Sequence, residues 1–188
     1  IAAEAQGIST LIVLNKSDLV EPFARAWERL EPYRAMGYAV QPISFRTAGA
    51  DQLRALQKQL EHQTSLVLGP SGAGKSTLIN KFVPGLDILT GELSQALRAG
   101  KHTTTSTTWY WIDDSHSSAL IDSPGFQEFG LRHIDPMRLA RYMPDLSAHA
   151  DHCRFYNCTH LHEPGCAVIA ATQGGSADNP ISADRYRI

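Results

Sequence analysis

A chain of 188 residues has room for one medium-sized domain and a smaller one, and its 43% apolar content suits a packed core rather than a disordered segment. A formal net charge of −2 offers no general attraction to nucleic acid or to a membrane surface. Apolar runs such as 11–14 are far too short to span a bilayer. No signal peptide is legible at the start, although Ile1 is not expected to be a natural N-terminus.

Residues 1–7 read as the end of a helix closed by Gly7, and 10–14 as a buried strand. That strand delivers Asn15-Lys16-Ser17-Asp18, an N-K-x-D pattern. Asp18 can accept two hydrogen bonds from the N1–H and exocyclic amine of guanine, a donor pair that adenine lacks, so a buried carboxylate facing adenine would stand unpaired. Asn15 suits the other edge of the base, and the stem of Lys16 can lie along base and ribose. Four such residues also make an ordinary strand-to-loop turn.

Glu21 to Met36 reads as a helix with Pro22 in its first turn and Gly37 at its end. Residues 38–43 form the next expected strand, ending at Ser44-Phe45-Arg46-Thr47. Guanine-binding proteins often carry a Ser-Ala pair at this point whose backbone bonds the guanine oxygen. Ser44 fits that pattern and Phe45 does not. From Ala50 to His62, Leu53, Leu56 and Leu60 make a core-facing helical stripe.

Residues 64–68 form a further strand, followed by Gly69-Pro70-Ser71-Gly72-Ala73-Gly74-Lys75-Ser76, which fits the phosphate-binding G-x-x-x-x-G-K-[ST] loop. Thr77 to Phe82 suits a helix start. Strand, glycine loop and helix together give free N–H groups and a partial positive charge aimed at an anion. In that reading Lys75 reaches the β/γ-phosphates, Ser76 binds Mg²⁺, and Thr77 and the loop residues complete the cradle.

Residues 84–100 read as loop, with a short helical turn at 92–98. Among Thr103, Thr104 and Thr105, one hydroxyl is expected to complete the Mg²⁺ shell in the manner of a nucleotide-sensing switch; Thr104 is the candidate, beside the alternative of a plain polar loop. Strands are expected at 107–112 and 118–121. The second delivers Asp122-Ser123-Pro124-Gly125, a D-x-x-G pattern in which Asp122 holds Mg²⁺ through water and the Gly125 N–H meets the γ-phosphate. Phe126 occupies the position where glutamine commonly orients the attacking water, so slow hydrolysis or another group is implied. His102 is the candidate for that group, being suited to proton handling near neutrality, beside the equal alternative that it only contacts a partner or solvent.

Beyond about residue 131 the composition changes. Residues 135–143 and the start of 167–188 read as helical. Between them, Cys153, Cys158, His160 and Cys166 stand in a C-x4-C-x-H-x5-C spacing suited to one tetrahedral structural Zn²⁺, with His162 as an alternative nitrogen ligand. A closed four-ligand site has no place for substrate, so its expected role is to hold together a segment too small for its own core. The fold expected overall is α/β, with a circularly permuted P-loop GTPase domain over 1–132 and a small, mainly helical zinc module over 133–188. The domain is mostly parallel sheet with helices on both faces. Base-reading elements precede the phosphate loop and switch elements follow it, which is the permuted order. Chain termini that lie close together permit such a cut. Five strands are read where six are usual, placing the missing one before residue 1. The zinc segment follows directly on the residues that would respond to the γ-phosphate.

These stretches together resemble the ribosome small-subunit-dependent GTPases, the RsgA or YjeQ family. The stretches are N-K-S-D, G-P-S-G-A-G-K-S, Gly100-Lys101-His102-Thr103-Thr104-Thr105, D-S-P-G-F and the cysteine-rich run 153–166. The resemblance implies a cytoplasmic bacterial GTPase using GTP/GDP and Mg²⁺, acting in late maturation of the 30S subunit and stimulated by it, with 16S rRNA as partner and a monomeric state. Family members carry an N-terminal RNA-binding OB-fold that these residues lack. Phe45 departs from the family's small residue, and Lys101 stands where arginine is common. Residues 133–188 hold five arginines, no lysine and six acidic residues, so charge lends the rRNA partner no separate support. Two other readings compete: an ATP-using P-loop enzyme, and a zinc-stabilised rRNA- or protein-binding module whose nucleotide site is structural or very slow.

Overall fold

The computed structural model describes residues 1–83, 85–86, 88, 107–123, 131–174 and 181–187. In chain order these give α1 (Ala2–Ala5), β1 (Leu11–Leu14), α2 (Val20–Arg29), α3 (Glu31–Ala35), β2 (Ala39–Pro42), α4 (Ala50–Leu60) and β3 (Thr64–Val67). There follow α5 (Lys75–Phe82), β4 (Thr108–Trp111), β5 (Ala119–Asp122), a 3₁₀ helix (Pro136–Tyr142), α6 (Pro144–Ala150), α7 (Ala167–Thr172) and α8 (Ala183–Tyr186). The expected helical turn at 92–98 and the segment 100–105 lie outside the described residues.

The chain divides into two compact units. One comprises Ile1–Ile12, Glu28–Val40 and Gly130–Ile188; the other comprises Val13–Trp27 and Gln41–Phe129. β1 pairs with β2, and β3, β5 and β4 form a three-stranded sheet in that order. β3 runs parallel to β5, with Val67 opposite Asp122, and β4 returns antiparallel. In the second unit Ala119 and Leu120 of β5 are fully buried, and α5, which packs on β5, buries Leu78, Ile79 and Phe82. Leu56 and Leu60 of α4 are buried and Leu53 is half-buried, so the leucine stripe does face the interior. The polar tip between β4 and β5 is closed by Asp113, whose carboxylate accepts from Ser115 Oγ (2.7 Å), Ser117 N (2.9 Å) and Ser117 Oγ (3.1 Å).

The single helix expected over 21–36 is two helices. Pro32 has no N–H to donate, and its ring would strike the carbonyl four residues earlier, so α2 stops at Arg29 and α3 restarts beyond Leu30 with the proline in its first turn. Residues 136–142 wind as a 3₁₀ rather than an α-helix. Asp135 caps them by accepting from Met137 N at 3.0 Å.

The first unit is built round Met143, Leu146, Cys158, Cys166, Val168, Ala171 and Ile181. Two cysteines of the expected metal group therefore double as core residues. The C-terminal turn is tied down as well as packed: Arg185 in α8 donates twice to Asp145 in α6 (Nε–Oδ2 2.8 Å, Nη2–Oδ1 3.0 Å) and lies 5.0 Å over the Tyr33 ring. The two charged side chains are 11% and 15% exposed, so the pair is largely desolvated. Such pairs are costly to break by removing one partner, because the other charge is left buried. Arg185→Met is therefore expected to lower stability by about 3–5 kcal/mol, read from the denaturant midpoint. Adding Asp145→Leu should restore most of that loss. An unchanged midpoint in the single variant would contradict this role.

Candidate functional site

The second unit brings three sequence-distant stretches together through side chains. The loop after β1 carries Asn15, whose amide faces both ways: Nδ2 donates to Ala73 O in the glycine loop at 3.0 Å, and Oδ1 accepts from Phe45 N at 3.1 Å. Oδ1 also accepts from Lys16 N at 2.7 Å. That bond helps hold Lys16 in the left-handed region, φ 67°, which costs a residue with a Cβ about 1–2 kcal/mol. Ser17 N donates to Ile43 O at 3.1 Å. Ser44 Oγ donates to Asp18 Oδ1 at 2.6 Å and holds that carboxyl below its ordinary range, so Asp18 is ionised at neutral pH.

The glycine loop runs from β3 to α5 with Gly69, Gly72 and Gly74 at φ 155°, 75° and 108°. Gly74 is required on two counts. Its φ belongs to the left-handed region, and a Cβ there would sit 2.3 Å from Asn15 Nδ2. Lys75 at the first position of α5 donates from Nζ to Gly69 O (2.6 Å) and Pro70 O (3.1 Å), which folds its ammonium back over the loop. Ser76 and Thr77 follow in the first turn of α5. At the end of β5, burial pushes the Asp122 carboxyl upward while the charge of Lys75 opposes the shift. A nearby cation is what such a carboxylate gains most from. An anion cradle, a lysine and a partly buried acid are a donor set that fits a phosphate chain with a divalent ion. Gly125, His102, Thr104 and Phe126 lie outside the described residues.

In the first unit Cys153, Cys158, His160 and Cys166 present one ligand atom each, all within 4.8 Å of one another. Bonds of about 2.3 Å to sulfur and 2.0–2.1 Å to nitrogen round a tetrahedral ion place sulfurs about 3.8 Å apart and sulfur about 3.5 Å from nitrogen. Here Cys153 Sγ and Cys166 Sγ are 3.8 Å apart, and each lies 3.5 Å from His160 Nδ1. The residues fit zinc. His162 is not in the group. Burial pushes the His160 ring below its ordinary range, which favours the neutral imidazole a metal needs, and pushes the Cys158 thiol up to about 12.

The selection of His160 over His162 follows from residues that spacing does not announce. Glu163 accepts from Thr159 N (2.8 Å), Thr159 Oγ1, Leu161 N (3.2 Å) and His162 N (3.2 Å), wrapping the loop round its own carboxylate. Tyr186 OH donates to His160 O, and His160 sits at φ 62°. The Glu163-Pro164-Gly165 run between ligands was the available signal; Tyr186 left none.

A family model described as RsgA GTPase matches residues 1–132. The chain belongs to the RsgA GTPase family. The small ribosomal subunit biogenesis GTPase RsgA of Variovorax paradoxus S110 is 62% identical over 188 residues, and that of Paraburkholderia xenovorans LB400 is 48% identical over 191. Each comparison covers this whole chain and 59% of the relative, so the chain spans about three-fifths of the curated proteins it matches. Among solved structures, YjeQ from Thermotoga maritima superposes with a TM-score of 0.75 at 28% identity, covering 99% of this chain and 59% of that one. YloQ, described as a circularly permuted GTPase, does so with 0.71 at 26%, covering 99% and 56%. The chain has the circularly permuted GTPase fold of the RsgA family, with the Asn15–Asp18 stretch ahead of the glycine loop.

Four donors hold the Glu163 carboxyl well below its ordinary range. A depressed folded-state pKa means stability that is present above the unfolded-state value and lost as pH falls through the folded one. Glu163→Gln is accordingly expected to weaken zinc about 10–100-fold at neutral pH, measured by chelator competition. Equal affinity would show that Glu163 does not support the site.

Proposed function

We propose that this chain is the nucleotide-hydrolysing and zinc-bearing part of a GTPase that acts on the small ribosomal subunit. The observation that carries the reading is the Asn15 amide, which bonds the phosphate loop through Ala73 and the 44–45 segment through Phe45. It gathers the stretch chemically suited to guanine and the stretch suited to phosphate into one unit. Membership of the RsgA family supplies the reaction class. Relatives named small ribosomal subunit biogenesis GTPase supply the partner.

In this reading Asp18 takes the guanine N1–H and amine, with Asn15, Lys16 and Ser44 completing the base pocket. Gly69, Pro70, Ser71, Gly72, Ala73, Gly74, Lys75, Ser76 and Thr77 hold the phosphates. Mg²⁺ is held through Ser76, Thr104 and Asp122, and it would neutralise charge building on the phosphate oxygens. Gly125 meets the γ-phosphate and His102 handles the water's proton. Zn²⁺ on Cys153, Cys158, His160 and Cys166 is structural. The domain division proposed is 1–132 for GTP and 133–188 for zinc, the first range coinciding with the family match. The setting proposed is the bacterial cytoplasm, with 16S rRNA of the 30S subunit as the binding surface and a monomeric enzyme. No helix among the described residues is long and apolar enough to cross a membrane. The names of the relatives do not favour a module whose nucleotide site is merely structural.

The deciding experiment is GTP turnover with and without purified 30S subunits, beside ATP. Turnover should rise with 30S, disappear in Lys75→Ala, and prefer GTP over ATP by about 10⁴-fold, as a site built to hydrogen-bond its substrate does. Loss of the 30S stimulation in His102→Ala would support the proton-handling role, and full stimulation would remove it. Equal use of ATP, or no turnover under any condition, would overturn the function.

A further inference from the structure

Phe45, next to Ser44, is neither exposed nor idle. Its side chain is 5% exposed. Its N–H donates to Asn15 Oδ1 at 3.1 Å, and its Cδ2 lies 3.5 Å from the place a Cβ on Gly74 would take. The same place is only 2.3 Å from Asn15 Nδ2. The aromatic edge and the asparagine amide therefore share the space left by the missing side chain of Gly74. One residue contributes the backbone donor that orients Asn15 and the bulk beside the same glycine.

We propose that Phe45 is a positioning residue for base selection: it holds Asn15 on the phosphate loop, so that the base-reading and phosphate-binding loops are set as one rigid piece. The proposal rests on the guanine-nucleotide reading of the site and names what makes that site selective. The argument is steric and conformational. Asn15 is a short side chain with several rotamers, and its bond to Ala73 O competes with water unless its alternatives are blocked. Lys16 is in a left-handed conformation that the Asn15 Oδ1 bond helps to hold. Truncating Phe45 keeps its N–H but opens a cavity beside Gly74 into which the Asn15 amide can shift, which relaxes Lys16 and displaces Asp18 two residues on. Base reading depends on sub-ångström placement, so a relaxed loop loses discrimination before it loses the phosphate contacts.

The test is the ratio of GDP to ADP dissociation constants in wild type, Phe45→Ala and Phe45→Leu. In Phe45→Ala GDP affinity should fall about tenfold or more while ADP affinity changes less than about threefold, so that selectivity narrows. Phe45→Leu refills most of the volume and should recover at least half of the loss. Should Phe45→Ala not fold, Phe45→Val carries the same comparison. A lower melting temperature with an unchanged GDP-to-ADP ratio would make Phe45 an ordinary core residue and overturn the proposal. A wild-type chain without preference for GDP would instead sink the guanine reading itself, a separate outcome visible before any variant is made.

Discussion

One primary amide carries much of this site. The Asn15 side chain has a donor end and an acceptor end, and each is spent on a different distant stretch: the carbonyl of Ala73 on one side, the N–H of Phe45 on the other. A carboxylate at position 15 would have two acceptors and nothing for Ala73 O. A lysine would have donors and nothing for Phe45 N. The amide satisfies both at once, and Gly74 must lack a side chain for it to reach. Asp18 is held by Ser44 in the same neighbourhood, so its position and its charge follow from that join.

The join spans a long stretch of chain. β1 and the 69–76 loop are separated along the chain by α2 to β3, with no short connection between them. Nothing local forces β1 and the 69–76 loop into register; side-chain bonds across the site do. The C-terminal segment solves a related problem differently. The described residues of 131–187 form only short elements, and they gain order from a shared core, a largely buried Arg185–Asp145 pair and a cluster of three cysteines and a histidine. Cys158 and Cys166 belong to both the core and the cluster, so a metal held there would stabilise the same segment as the packing.

Much of this was legible in the residues because the chemistry leaves few alternatives. Three glycines before Lys75-Ser76 are a backbone requirement written directly into sequence, and Gly69, Gly72 and Gly74 take the positive φ values that such a loop demands. The three cysteines and a histidine declare a metal by spacing, although spacing leaves His160 and His162 equal. What separates them is a loop folded on Glu163 and a hydrogen bond from Tyr186, 26 residues on. Pro32 carried a readable signal: the ring that is welcome in a first turn breaks a helix at mid-length, and the expected single helix is two. The bonds from Asn15 to Ala73 and Phe45 span 58 and 30 residues and end on backbone atoms. A backbone partner has no residue type to betray it, and Phe45 reads from sequence only as a departure.

The central claim is that stretches far apart in the chain make one nucleotide pocket. Amide hydrogen exchange with and without GDP tests it most directly. The account predicts that GDP slows exchange together in 15–18, 44–46 and 69–77, with one midpoint on titration. Protection confined to 69–77, with 15–18 and 44–46 unmoved at saturation, would contradict it.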